Sequence, residues 1–550
     1  MFGSLRYLAR GTRGMINGSQ LKKHAFDIAQ PSIKLNKVEQ KICRLLNDYT
    51  ALFNAKQENV AEPLTLRISG GWVRDKLLGQ DSHDLDIAIN IMSGEQFALQ
   101  LNEFLTEHYD KYELEPHSIN KIDINPEKSK HLETATTKLY EVEIDFVNLR
   151  SEEYSDHSRI PVVNFGTAEE DAFRRDATLN ALFYNITQDK IEDFTKLGLY
   201  DLNKGILRTP LPPRQTFLDD PLRVLRLIRF AARYNFEIEP NVYKEMQDPE
   251  INDAFLHKIS NERIGVEVQK ILRGPNPLLG LSLIQSTKID NVVFRWHEDQ
   301  EIINFNETHC ENFNEIERLY SSGKLNAHLE RVISKFDKFF SSSLPFYSNG
   351  IDASADFAMN TILSCCLIPM AGYDIIWTSK AKMNNKISLT ESILKNWLKV
   401  GKNESTRIAK VVNSSKTYDC MVDMFYRSRN DQASLKRSDL GIFLRDFKGD
   451  WETVHYVSLF NHFLYSQQSY YEMEKKYKYL RSAIYNQNLE NAHQLKPLLN
   501  GKEVLQGLNR KAGPWLGKVN EQAIYWQFDN PNGTKAELLE YMKSIAPKYV

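Results

Sequence analysis

Apolar positions change period several times along the first third of the chain. Over 36–57 they recur at helical spacing, with Val38, Ile42, Leu45, Leu46, Tyr49 and Phe53 on one face. A strand is predicted over 64–68, closed by Ser69-Gly70-Gly71, then a short helix over 73–78 and a strand over 85–89. Helical spacing returns at 95–108. The stretch 111–138 is polar and irregular and reads as an insertion or mobile loop. Alternation through Tyr140, Val142, Ile144 and Phe146 then predicts a single strand over 139–147. Mixed strands and helices make 60–187 one α/β domain.

Strand spacing fades after that. Helices are expected over 218–235 and 262–272, and helical periodicity dominates from about 300, with polar joints near 341–352 and 400–416. Pro210, Pro212 and Pro213 mark the break. The expected fold class is α+β, a mixed-sheet head followed by an all-helical remainder. The expected domains are a basic arm 1–30, a head 31–187, a neck 188–273, a helical body 274–400 and a helical tail 401–550.

Composition narrows this only in places. With 550 residues, 42% of them hydrophobic, the chain can bury several cores, and roughly 3–5 domains or subdomains are expected. No run approaches the ~20 apolar residues of a membrane helix, so no membrane partner is expected. Net charge is −2, so a nucleic-acid surface would need segregated Lys and Arg. Cys43, Cys310, Cys365, Cys366 and Cys420 lack CxxC spacing and suit free thiols. The first residues carry Arg6, Arg10, Arg13, Lys22 and Lys23 with no acid before Asp27. That is the composition of a mitochondrial targeting segment or of a disordered basic arm. Starts at Met1 and Met15 would divide the product between mitochondrion and cytoplasm and nucleus.

Chemistry concentrates in three segments. On the strand Asp84-Leu85-Asp86-Ile87, residues i and i+2 face one way, so Asp84 and Asp86 present two carboxylates while Leu85, Ile87 and Ile89 face a core. Such oxygens suit Mg²⁺, and two ions could serve an in-line phosphoryl displacement. A third acid is expected on the later strand, where Asp145 and Glu143 face the same way. Upstream, Gly70 and Gly71 allow close backbone approach, and Arg74 can contact phosphate. Neither a Walker loop nor a dinucleotide fingerprint is present.

In the second segment, DAFRRDATLNAL over 171–182, Arg174 and Arg175 offer donors to a triphosphate or sugar. Asp176 and Asn180, four apart, share a helix face and reach a ribose edge or each other. In the third, DDPLRVLRLIRFAAR over 219–233, Arg223, Arg226, Arg229 and Arg233 form a stripe on an otherwise apolar helix.

GGWVRD followed by HDLDIA resembles the polymerase-β-type nucleotidyltransferase superfamily, and more narrowly its class II CCA-adding enzymes, over about 64–273. The resemblance implies a nucleotidyltransferase head with helical neck, body and tail. It implies template-independent addition of CCA to tRNA 3′ ends from CTP and ATP with two Mg²⁺ ions. Asp84 and Asp86 would be the catalytic metal ligands. Gly70, Gly71, Arg74, Arg174, Arg175, Asp176, Asn180, Arg226 and Arg229 would belong to the nucleotide site.

Asp219-Asp220-Pro221-Leu222-Arg223 matches the family's EDxxR motif, with Asp219 in place of the usual Glu. Asp220 and Arg223 would read the base and Asp219 would orient them. Cytosine and adenine both pair an amino donor with a ring-nitrogen acceptor; uracil and guanine reverse that pattern. Unmet hydrogen bonds in a closed site are costly. Asp201-Leu202-Asn203-Lys204-Gly205 resembles the head–neck connection, and Glu262, Arg263 and Glu267 resemble a helix-bracing ERxxxE motif. Lys380, Lys382, Lys386, Lys395, Lys399 and Lys402 are candidates for RNA phosphate contacts or a solvated face. Body and tail would hold the tRNA acceptor arm and elbow, in a monomer.

Overall fold

The computed structural model describes residues 31–57, 62–82, 84–122, 134–155, 158–295, 300–304, 323–343, 355–377, 386–430, 436–465 and 469–549. The basic arm 1–30, Lys380 and Lys382 lie outside the described residues. The chain forms two compact units, 1–295 and 296–550. That division falls inside the expected body, not at residue 273 or 400.

The first unit is built on a seven-stranded sheet of order β3-β4-β5-β2-β1-β8-β9. Its strands are β1 (Leu66–Ser69), β2 (Leu85–Ile89), β3 (Asn120–Ile122), β4 (Thr134–Leu139), β5 (Val142–Asn148), β8 (Leu182–Asn185) and β9 (Lys190–Asp193). β2 and β5 run parallel, and the other neighbours are antiparallel. A separate hairpin, β6 (Arg150–Ser155) with β7 (Ser158–Phe165), leaves the end of β5.

Helix α1 (Lys37–Lys56) starts at a capping box in which Asn36 and Glu39 satisfy each other's backbone N–H groups. Its Ile42, Leu45, Leu46 and Tyr49 are buried; Val38, at its first turn, is not. Helix α2 (Gly71–Leu77) follows β1 directly. Helix α3 (Gly94–Glu107) carries the chain from β2 towards the far edge of the sheet, with Phe97 packed on Phe146 of β5 at 4.8 Å between rings. Its first residue is flush with that strand. A Cβ on Gly94 would sit 2.0 Å from the Phe146 carbonyl oxygen, so only glycine lets the helix dock there.

Several expectations change. The single strand over 139–147 is a hairpin. Tyr140 and Glu141, with φ of 50° and 66°, form a two-residue turn, and β4 occupies part of the expected loop 111–138. The register moves the shared face from Ala135, Thr137 and Leu139 to Val142, Ile144 and Phe146, but Tyr140 in the turn falls in phase with the second set, so the sequence reads as one strand. The sheet runs past residue 187, because β9 pairs with β8. The helix expected over 218–235 is two, α5 (Pro213–Asp219) and α6 (Leu222–Tyr234). α4 (Ala168–Phe173) precedes them. Asp220 at the junction is extended, φ −138° and ψ 96°, because the ring of Pro221 disfavours a helical residue before it. Helix α7 (Asn261–Leu272) then packs on α6.

The second unit is not wholly helical. A three-stranded antiparallel sheet joins Gln300–Asn304, Tyr373–Trp377 and Ile387–Ser388. The joint expected over 400–416 is the first half of the long helix Lys402–Arg427. Ala355–Leu367 and Trp451–Tyr465 both pack on that helix, so segments either side of residue 400 share one core. Val504, Val519 and Met542 centre a smaller C-terminal cluster.

Candidate active site

Parallel pairing of β2 with β5 sets Asp86 directly opposite Asp145. Asp84 stands just before β2 on the same side, and all three carboxylates line one cavity of about 1340 Å³ in the first unit. Glu143 is exposed and lies outside that lining. Thr136 on β4 donates to Asp145 Oδ1 at 2.5 Å, fixing its rotamer. Burial pushes the Asp86 carboxyl up to about 6; Arg175 opposes this, and Asp145, Asp84 and Asp171 add to it. The acids thus crowd one another, a condition that a divalent cation relieves.

Gly70 has φ of 74°, a left-handed conformation that turns β1 into α2. A Cβ there would lie 2.9 Å from Arg175 Nη1. Arg74, buried, donates to Asp75 Oδ1 at 2.8 Å and Asn180 Oδ1 at 2.5 Å, and stacks on Phe230 and Tyr234 of α6. It therefore ties α2 to α6 as well as facing the cavity. The Asp171 carboxylate receives both Arg174, at 2.5 Å, and Arg175, at 2.7 Å. Burial would raise its pKa, yet the two guanidinium groups hold it at about 2.

Asp176 and Asn180 do touch, at 2.9 Å, but on a 3₁₀ turn after α4 has ended at Phe173, not along one helix face. Arg226 closes on Asp176 Oδ2 at 2.6 Å; despite burial, it holds that carboxyl far below the usual range.

The break before Pro221 puts Asp220 at the mouth of α6 and Arg223 one turn on, both lining the cavity. Asp220 Oδ1 accepts from the Leu222 amide at 3.2 Å, and Oδ2 accepts from Arg263 at 3.0 Å. Arg223 donates to the Arg174 carbonyl at 2.8 Å. Asp219, at the end of α5, is outside the lining, and burial raises its carboxyl against the pull of Arg223 and Lys258. Arg229 donates to Glu267 Oε2 on α7 at 2.6 Å. The expected brace is thus divided: Glu267 braces α6, Glu262 stands apart in the first turn of α7, and Arg263 turns into the cavity. Arg263 thus meets Asp220, not its neighbours on α7.

Arg150 and Glu152 also line the cavity. Neither stands in a spaced motif, and only the departure of β6 from the sheet brings them there. In the second unit, Lys386 pairs with Asp374 at 2.9 Å, Lys395 is half-buried, and Lys399 and Lys402 are exposed. The structure thus distributes the described lysines of the expected cluster over different surroundings.

A carboxylate-bearing strand beside a Gly-Gly turn, facing an arginine-lined cavity in a mixed sheet, is the arrangement expected of a polymerase-β-type nucleotidyltransferase. The family model described as the poly A polymerase head domain matches residues 66–208. A second, described as the probable RNA and SrmB-binding site of polymerase A, matches 235–300. The CCA tRNA nucleotidyltransferase, mitochondrial, of Saccharomyces cerevisiae is 56% identical over 96% of this chain and 96% of its own length. Its namesake in Candida glabrata is 54% identical over 94% and 98%. The chain belongs to the CCA tRNA nucleotidyltransferase family. Its fold resembles the Thermotoga maritima CCA-adding enzyme complexed with tRNA, with TM-score 0.54 and 19% identity over 96% of this chain and 98% of the other.

Proposed function

We propose that the chain adds CCA to tRNA 3′ ends from CTP and ATP without a nucleic-acid template, in tRNA maturation and repair. The observation that carries this reading is that Asp220 and Arg223 line the same cavity as Asp84, Asp86 and Asp145. Base selection and phosphoryl chemistry then share one space.

In the reaction the RNA 3′-hydroxyl oxygen bonds to the α-phosphorus and the bond to pyrophosphate breaks. The hydroxyl proton leaves to solvent or a nearby base. Asp84 and Asp86, with Asp145 as third acid, would hold two Mg²⁺ ions, which lower the hydroxyl pKa and offset the charge on pyrophosphate. Arg174 and Arg175 face the triphosphate, and Arg74 and Gly70-Gly71 shape the turn beside it. Asp220 accepts from the amino group of cytosine or adenine while Arg223 donates to the ring nitrogen.

The lysines at 386, 395, 399 and 402 are candidates for tRNA backbone contacts, and the enzyme acts as a monomer. The Saccharomyces and Candida relatives bear mitochondrial names. With the basic residues before Asp27 this supports delivery to the mitochondrion, and a start at Met15 supports cytoplasmic and nuclear product.

The test is single-nucleotide labelling of tRNA lacking CCA, with CTP, ATP or both. Two additions from CTP followed by one from ATP are expected. Unlimited extension from ATP alone would make the protein a poly(A) polymerase of the same branch and overturn the reading.

A further inference from the structure

The β6–β7 hairpin brings one acid into the cavity that no expected motif contains. The Glu152 side chain is 4% exposed, and its carboxylate meets guanidinium groups from different parts of the chain. Oε1 lies 2.8 Å from Arg150 Nε and 3.0 Å from Arg174 Nη1. Oε2 lies 3.8 Å from Arg223 Nη2. The same Nη2 donates to the Arg174 backbone carbonyl at 2.8 Å. Arg174 is thus held from both ends, by Asp171 and Glu152 at its guanidinium and by Arg223 at its carbonyl.

The geometry points to Glu152 as a positioning residue for nucleotide selection, which sets the phosphate-side Arg174 and the base-side Arg223 in fixed relation. This rests on reading Arg223 as the base-selecting donor. A guanidinium that must donate to one ring nitrogen needs a fixed plane; at 3.8 Å Glu152 attracts Arg223 by charge alone, and it fixes that plane through Arg174, whose guanidinium it hydrogen-bonds and whose carbonyl Arg223 meets. Asp171 cannot replace Glu152 here, because it already receives both Arg174 and Arg175. Arg150, which is buried and crowded by Arg174, also depends on Glu152 for counter-charge.

Glu152→Gln keeps the shape and removes the charge; Glu152→Asp keeps the charge and withdraws it by one methylene. Both are compared with the unaltered full chain by measuring kcat/KM for CTP and for UTP on tRNA lacking CCA. The ratio of the two nucleotides on one preparation does not depend on the folded fraction. Glu152→Gln should lower the CTP-over-UTP ratio at least tenfold, with the loss for CTP mainly in KM, and Glu152→Asp should recover part of it. An unchanged ratio in Glu152→Gln overturns the proposal. If that variant does not fold, an unchanged ratio in Glu152→Asp overturns it, and a lowered one supports it. Arg223→Ala run in parallel separates the two ideas. Loss of selection there with an unchanged ratio in the Glu152 variants refutes only the role of Glu152. Retained selection in Arg223→Ala refutes the base-reading assignment itself.

Discussion

Replacing Asp86 with Asn should remove activity and yet stabilise the metal-free protein. The Asp86 carboxyl is raised from 3.8 to about 6 in the fold, first by burial and then, against Arg175, by Asp145, Asp84 and Asp171. Because the folded group binds its proton more tightly than the unfolded one, ionising it opposes folding. The penalty is absent below pH ~4, grows as pH rises towards 6, and is complete at neutral pH. A tenfold gain in proton affinity is worth about 1.4 kcal/mol, so the full penalty is on the order of 3 kcal/mol. The carboxylate is partly open to the cavity, which makes that an upper figure. An asparagine amide carries no charge and escapes it. Thermal unfolding with a chelator present should therefore show Asp86→Asn melting higher at pH 7.5, by up to about 5 °C. The difference should roughly halve by pH 5. Added Mg²⁺ should narrow it by raising the unaltered protein alone. A variant less stable than the unaltered protein at pH 7.5, or a difference independent of pH, would refute the reasoning.

Replacing Asp84 and Asp86 together with Ala should abolish nucleotide transfer but leave tRNA retention in a filter-binding assay within a few-fold; transfer near the normal rate would exclude them as metal ligands. Gly70→Ala must adopt φ of 74° and push against Arg175, so it should lose about 1–2 kcal/mol of stability and raise KM for CTP and ATP, read from urea titration and initial rates. Glu267→Ala leaves Arg229 without its partner and should cost about 3–5 kcal/mol; a melting curve unchanged from the parent would show that the pair is not a brace. Residues 1–30 fused to a fluorescent reporter should enter mitochondria, and a diffuse signal would remove the targeting assignment.

The strand 85–89 and the helix before β1 were legible because each keeps one period over its whole length. So was the grouping of Asp84, Asp86, Arg174, Asp220 and Arg223, since the family motifs place them in one site. The Tyr140-Glu141 turn was hidden because the apolar Tyr140 extends the alternation of Val142, Ile144 and Phe146 backwards, and neither turn residue is glycine. The split at Pro221 was written in the sequence, but an apolar stripe running through 218–235 outweighed the proline. Arg150, Glu152 and Arg263 had no local signature for a place in the cavity. Their position depends on where a hairpin leaves the sheet and on how α7 packs against α6, both of which are long-range events. The same limit applies to Lys386, whose partner Asp374 lies on a neighbouring strand.

The parallel junction of β2 and β5 has a consequence for when the enzyme becomes competent. Two parallel strands cannot close through a tight turn, so Asp86 and Asp145 meet only after the intervening chain has crossed over. Gly94, flush with the Phe146 carbonyl, is the contact that registers this crossover as complete. A nascent chain that has emerged only through β2 carries the Asp-x-Asp strand without its neighbour. Affinity for a divalent cation should therefore appear only once β5, ending at Asn148, has followed β2 out, as a report that the far side of the sheet has been laid down, and a side chain at residue 94 would delay or prevent that report while leaving both aspartates in the sequence.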